Sequence, residues 1–247
     1  MADQVAAHVL ADHDASQGLC TLTLNRPGKS NALNAELVDA LLQALERCSL
    51  DNTRVLVVTG AGKNFCGGFD FTDYERQSEG DLLQRFVRIE LLLQRLRRAP
   101  FVTIAAVSGA AFGAGADIAA ACTFRLARPQ SRFRFPGFRF GVALGTRYLT
   151  ALLGAQGARS VLLADKTLGA EEAEQIGLVT HVLEASAQTE FIETTLGGLG
   201  SLGGQAAADI LRLTVENTDD VDLADLVRSV NRPGLHSRVA QYRQEHA

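Results

Sequence analysis

Clustered basic residues are missing from this chain, and so are paired cysteines and paired histidines. Its 24 Lys+Arg are outnumbered by 28 Asp+Glu, for a formal net charge of -4 over 247 residues. Phosphate binding needs Lys and Arg gathered together, so the balance argues against nucleic acid as the main partner. The four cysteines, Cys20, Cys48, Cys66 and Cys122, contain no C-x-x-C pair, which disfavours a zinc site and a disulfide scaffold alike. Reduced thiols in a cytoplasm are the simplest expectation. The five histidines, His8, His13, His181, His236 and His246, show no i, i+4 spacing, so no metal site is expected.

Residues 1–14 carry Asp3, Asp12 and Asp14 and lack a basic start followed by an apolar run, which excludes a signal-peptide pattern. Long hydrophobic runs are scarce too. Only residues 99–116 go 18 positions without a charge, the lower limit for a spanning helix. Pro100, Thr103, Ser108 and three glycines interrupt that run, and Asp117 ends it. Two buried elements joined by a glycine turn explain it better than a membrane span. What is present is an ordinary globular composition, 47% apolar and 21% charged, able to bury a sizeable core.

The pattern alternates between strands and helices. Residues 19–24 alternate like a half-buried strand, and Asn25-Arg26-Pro27-Gly28 supplies turn chemistry. Asn34 can cap a helix whose Leu37, Leu41, Leu42 and Leu45 share one face. Residues 54–59 form a β-branched run suited to a parallel strand buried on both faces. Ser78 and Asp81 have capping-box spacing ahead of a stripe of Leu82, Phe86, Ile89, Leu93 and Leu96. Strands over 101–107 and 123–127 flank a small-residue helix running through Ala121. Such alternation predicts an α/β fold with right-handed crossovers. After Gly145 the pattern turns mainly helical, interrupted by a strand over 178–183. The glycine-rich stretch 197–204 is the best place for a hinge or a tight loop. The chain is therefore divided, as an expectation, into an α/β core over 1–196 and a helical part over 197–247.

Several motifs fail on context. Gly198-Leu199-Gly200-Ser201-Leu202-Gly203 fits G-x-G-x-x-G but follows a helical segment where a dinucleotide fold needs a strand. Gly60-Ala61-Gly62-Lys63 lacks the first glycine of a phosphate loop, and Asn64 stands where Ser or Thr would hold magnesium. Residues 132–140 interleave Arg and Phe, which reads as an alternating strand rather than a single-strand nucleic-acid platform. Cys66 has no base paired to it and reads as a small buried loop residue.

Two segments survive together: residues 57–70, a buried strand opening into a loop of small residues, and residues 105–117, a strand, turn and helix start. Both offer backbone N–H groups with little side-chain cover, and the second adds a helix N-terminus. Two such amides aimed at one carbonyl oxygen would make an oxyanion hole, worth about 3–4 kcal/mol per donor.

Four segments in order, Asn25-Arg26-Pro27 with Asn31-Ala32-Leu33, Phe65-Cys66-Gly67-Gly68-Phe69-Asp70, Gly109 to Asp117, and Ala170-Glu171-Glu172-Ala173 with Gly177-Leu178-Val179, resemble the enoyl-CoA hydratase/isomerase (crotonase) superfamily. The resemblance implies an α/β spiral of ββα units, a helical C-terminal region used to assemble a homotrimer or a hexamer, and an acyl-CoA thioester as substrate. No cofactor is implied beyond the coenzyme A of that substrate. By position, the Gly67 and Ala114 N–H groups would hold the thioester oxygen as an enolate forms. Lys29, Ser30, Cys66, Gly68, Phe69 and Asp70 would lie along the substrate, with Gly137 in the pocket and Asp70 bonding loop amides rather than acting as a base.

The departures from the family pattern are specific. Asp117 stands where family hydratases carry one Glu, and Gly137, after Pro136, stands where they carry the second. Activating water and delivering a proton uses both carboxylates, so weak or absent hydratase activity is expected, with Asp117 as the only acid/base located by a motif. Decarboxylation, thioester hydrolysis, proton shuttling or a catalytically retired binding role remain open. Tyr74 is a further possible proton donor by analogy, with surface packing as its plainer reading. The segment 140–147 is shorter than the family form, which implies a rebuilt pocket floor.

Overall fold

The structure, a computed structural model, describes residues 7–245. The first six residues of the N-terminal segment considered above lie outside them. Residues 9–60 form the first winding: β1 (Val9–Asp14), β2 (Leu19–Leu24), α1 (Ala35–Leu50) and β3 (Val55–Gly60). β1 and β2 are antiparallel, whereas β2 and β3 run parallel across the α1 crossover, with Leu22 opposite Val58. α2 (Glu79–Arg97) leads to β4 (Val102–Val107), and α3 (Ala114–Ala121) to β6 (Phe124–Ala127), each strand adding in parallel. The sheet closes on a two-residue strand, β9 (His181–Val182), in the order β1-β2-β3-β4-β6-β9. A second sheet stacks β5 (Ala110–Phe112), β7 (Arg132–Arg134) and β8 (Leu168–Gly169).

The helix starts follow their sequence signals. The Asn34 side chain accepts the Leu37 N–H at 3.0 Å, and Ser78 and Asp81 close a reciprocal capping box, each satisfying amides the first turn leaves open. β3 is buried on both faces, and its period of two divides the core. Leu56 and Val58 join the main core with α1, α2 and α3. Val55 and Val57 face a smaller core with Ile104, Leu126 and Leu196.

The remaining helices are α4 (Thr146–Ala164), broken by non-helical geometry at Gly154, α5 (Ala170–Gln175), α6 (Ala185–Leu202), α7 (Gly204–Leu213), α8 (Asp219–Val230) and α9 (Leu235–Glu245). Three expectations are corrected here. The 197–204 stretch is no hinge: residues 197–202 continue α6, and the break is at Gly203 with φ +80°. Leu196 lies in the second core with Leu199 and Leu211 packed against it, so burial holds the glycine-rich turns helical. The strand expected over 178–183 shrinks to His181–Val182. The alternating strand over 132–140 stops at Arg134, because Pro136 cannot donate to a ladder and opens a 3-10 turn over Pro136–Phe140. Among the elements without a sequence signal are β1, exposed along nearly its whole length, and α9, which buries only Leu235 and Val239.

Residues 99–116, weighed above as a membrane span, divide into β4, β5 and the start of α3. No helix among the described residues is long and apolar enough to cross a membrane.

Candidate active site

Three backbone segments far apart in sequence meet at one end of the parallel sheet. Asn31, fully buried with φ +55°, ties the first two together; Asn tolerates this left-handed geometry better than most residues. Its amide donates to Ala61 O at 2.9 Å, Asn64 O at 2.8 Å and Phe65 O at 3.2 Å, while its Oδ1 accepts the Arg26 N–H. Asn64 in turn donates to the Ser30 hydroxyl and accepts the Ala110 N–H. Cys66 bonds β5 through both backbone groups, donating to Ala110 O and accepting from Phe112 N.

This lattice decides which amides stay open. The Gly67 N–H, expected as an oxyanion donor, donates instead to Ser30 O at 2.8 Å, so it is committed inside the loop. Among the described residues no acceptor takes the Phe69 N–H or the Ala114 N–H. Both residues line the same cavity. Gly68 links them: it has φ +91°, and a Cβ there would lie 2.5 Å from Phe112 O and 3.4 Å from Ala114 N. Only glycine lets the two loops approach this closely. Ala114 opens α3, so the helix N-terminus adds partial positive charge at the same point.

The cavity beneath these amides has a volume of about 130 Å³. Seven of the chain's twelve phenylalanines line it, Phe69, Phe71, Phe86, Phe112, Phe135, Phe138 and Phe140, together with Val142, Leu144, Leu162, Tyr242 and Arg134, whose guanidinium is paired with Asp165 at 2.8 Å. Its one carboxyl is Asp117, on the first turn of α3 and 5% exposed. Burial first, and the neighbouring Glu90 second, push this carboxyl well above the ordinary aspartate range. Two open amides and a raised carboxylic acid thus face one apolar chamber. Such a set can polarise a carbonyl and exchange a proton beside it.

A model of the enoyl-CoA hydratase/isomerase family matches residues 14–212. The chain belongs to the enoyl-CoA hydratase/isomerase family. A probable enoyl-CoA hydratase of Mycobacterium leprae, echA12, is 39% identical over 172 residues, 65% of this chain and 58% of its own length. A second from the same organism, echA6, is 33% identical over 204 residues, 79% of this chain and 80% of its own. A crystal structure from Bordetella parapertussis, described as an enoyl-CoA hydratase/isomerase, superposes with a TM-score of 0.93 at 41% identity, covering 96% of this chain and 98% of that one. The fold is that of the crotonase superfamily.

Not every residue expected at the site of this family member lies in the cavity. Gly67, Gly68, Phe69, Ala114, Asp117 and Gly137 line it; Lys29, Ser30, Cys66 and Asp70 do not. Lys29 sits on an exposed turn, and Ser30 supports the Gly67 loop. Cys66 is fully buried with both backbone groups bonded, and burial pushes its thiol up to about 12, so neither contact with a substrate nor nucleophilic attack is open to it. For Asp70, burial raises the carboxyl, but Thr72 and Arg26 outweigh it and hold it below its ordinary value. The Arg26 contact is an ion pair of 2.9 Å. Tyr74 is not a surface residue: it is 3% exposed and packs edge-on against Phe71, outside the cavity lining.

At Gly137 the backbone is closed over. Val142 N–H donates to Gly137 O at 2.9 Å, and a Cβ on Gly137 would stand 2.9 Å from Val142 O. Val142, in the 140–147 segment, thus folds back over Gly137. Sequence reasoning missed the Phe69 amide, and also Glu90, a buried carboxyl on α2 whose Oε1 accepts the Tyr148 hydroxyl at 2.8 Å. Phe69 belonged to a recognised loop, but choosing among its amides needed the hydrogen-bond pattern. Glu90 lies among the apolar positions of α2, and a charge there was the available signal.

Proposed function

We propose that this protein is an acyl-CoA-processing enzyme that stabilises a thioester enolate. The thioester oxygen is received by the Phe69 and Ala114 N–H groups, and Asp117 exchanges the proton at the α-carbon. The observation that carries this reading is the pair of amides without protein acceptors, drawn from two separate loops and opening on the cavity that holds Asp117. Removing one such donor typically costs about 10²–10³ in rate.

The aromatic lining favours a compact apolar acyl group, since an apolar cavity of about 150 Å³ holds a benzene ring. With Gly137 in place of a second acid, the reading favours a reaction that needs one acid/base, such as decarboxylation, over hydration, which uses two carboxylates. The exposure of Lys29, next in sequence to the Ser30 whose carbonyl holds the Gly67 loop, supports a role for it in meeting the phosphates of coenzyme A. Assembly into a trimer or hexamer draws support from Ile210 and Leu213 of α7, 49% and 71% exposed.

The test follows α-proton exchange of a saturated acyl-CoA in D2O by mass spectrometry, which reports enolate formation whatever the net reaction. The wild type is expected to incorporate deuterium. Asp117→Asn should lose at least about 10² of that rate with thioester affinity within threefold (~3-fold) of wild type by calorimetry. Tight binding without exchange or turnover would leave the retired binding role, and absence of binding to any CoA ester would sink both.

A further inference from the structure

Glu90 is 1% exposed and makes no salt bridge among the described residues. A buried carboxyl without a cation is costly, and such groups are retained where their ionisation is used. Its Oε1 accepts the Tyr148 hydroxyl at 2.8 Å and the Gln94 amide at 3.3 Å. Gln94 is itself fixed by a bond to Asp219 O. The side chain is therefore held from two helices, α4 and α2.

Gly145 stands between this carboxyl and the cavity. On one side a Cβ at Gly145 would collide with Asp117 Oδ1. On the other, Gly145 lines a second hollow together with Glu90, Arg147 and Asp222. Gly145 has φ +61°, so a glycine is the natural residue both for its backbone and for the absence of a side chain between the two carboxyls. Asp117 faces the apolar cavity, Glu90 the polar hollow behind it.

The charges around Glu90 leave it without a cation of its own. From α4, Arg147 is engaged by Asp222 at 2.9 Å and Asp225 at 2.6 Å. From α8, Asp222 and Asp219 add negative charge, although Asp219 is paired with Arg98. From α2, Arg97 lies over the Tyr148 ring at 4.4 Å. From α3 the group facing it is Asp117.

We propose that Glu90 is the positioning residue of this site, and that it and Asp117 share one negative charge across Gly145, with the charge on Glu90 and the proton on Asp117. Two facts decide which carboxyl keeps the charge. Glu90 is raised overall by its burial, but its charged form is held against that push by the hydrogen bonds it accepts from the Tyr148 hydroxyl and the Gln94 amide, with the Gly145 amide adding to them. Asp117 has no such donor, and both burial and Glu90 raise it. Tyr148 stays protonated as a donor, because burial and the adjacent Glu90 push its hydroxyl further up.

The consequence is chemical. The second carboxyl absent at Gly137 is present behind Asp117 instead of across the cavity, where it sets a protonation state and touches no substrate. Asp117 rests as an acid: its proton passes to the α-carbon, the enolate electron pair forms the C–H bond, and the charge left on Asp117 is quenched by a proton from solvent. The reverse transfer, from the α-carbon to the ionised fraction of Asp117, carries the α-proton exchange, which therefore rises with pH. This rests on the proposed function only in where the proton goes. The protonation state itself can be read without any turnover.

The test is infrared spectroscopy of the free protein labelled with [4-13C]aspartate, following the protonated-carboxyl C=O band that Asp117→Asn removes. In the wild type that band should be present at neutral pH and bleach only at higher pH. Glu90→Gln keeps an acceptor for Tyr148 and removes the charge; Tyr148→Phe removes the donor and draws the shared proton onto Glu90. Both should lower the midpoint of the band by at least about one pH unit, a tenfold change in the ratio of neutral to charged Asp117. A purely structural Glu90 would leave the midpoint of both variants where it was, and that result overturns the proposal. So does an Asp117 already ionised at neutral pH in the wild type. If the band behaves as stated while no acyl-CoA exchanges its α-proton even above the midpoint of that band, the charge-sharing pair stands and the proposed function falls.

Discussion

The two ends of the cavity have been treated differently by the chain. At the amide end, separate loops are locked by Asn31 and brought together at Gly68, leaving Phe69 and Ala114 N–H open. At the acid end, Gly137 is closed over by the backbone of Val142, and the cavity's carboxyl, Asp117, is backed by Glu90. Under the proposed function, the amide end supplies what a thioester enolate needs, while the acid end offers one cavity carboxyl where water addition uses two. Anchoring a carbonyl and choosing its reaction are thus physically separable within one pocket. Altering the acid end leaves the hydrogen bonds of the amide end untouched.

The strongest way to break this comparison is to collapse the amide end. Gly68→Ala places a Cβ 2.5 Å from Phe112 O in a backbone of φ +91°, so the loop must move away from Ala114. Activity should fall by about 10³, close to the loss of a full oxyanion donor, while Asp117 stays in place. The α-proton exchange assay reads the loss, and the infrared band of Asp117 should be unchanged. An active Gly68→Ala variant would detach the reaction from these amides altogether.

At the acid end, Gly137→Glu asks whether the second carboxylate can be put back. The Cβ would meet Val142 O at 2.9 Å, a backbone atom that itself follows a bond from Val142 N to Gly137 O. Overpacking of this kind costs about 1–3 kcal/mol, so the variant should melt earlier and gain no crotonyl-CoA hydration. Hydration gained without loss of Tm would show that the floor is open and that only the acid was missing.

Much of this was legible from the residues, and the illegible parts have physical reasons. The caps at Asn34 and Ser78, the doubly buried β3 and the glycine turn ahead of α3 are local signals, and the structure forms each of them. Gly68 and Asp117 stand out because a bare backbone and a lone acid in an apolar stretch are visible in any listing of residues. The choice of Phe69 over Gly67 was not, because it depends on whether Ser30 O, 37 positions away, takes the Gly67 proton. Nor was Glu90, whose partner Tyr148 lies 58 positions on. The 197–202 segment misled for the opposite reason: its glycines signal a loop, and burial of Leu196 and Leu199 beneath the sheet overrides them.

The finest test of the comparison is a stability measurement at the acid end. Asp117 has its native pKa raised by burial and Glu90, whereas in the unfolded chain an aspartate titrates near about 3.9. Between those two values the native state holds a proton that the unfolded state has released, so stability falls as pH rises through the window. Asp117→Asn removes that slope. Its Tm should exceed the wild type's by little at pH 4 and by more at pH 8, where the difference should reach about 1 kcal/mol, or about 2–4 °C for a chain of this size. A variant that is both inactive and more stable at high pH marks Asp117 as a group kept for chemistry against its own burial cost. An equal Tm difference at both pH values would mean that Asp117 is ionised in the folded protein, and that the acid end is an ordinary carboxylate after all.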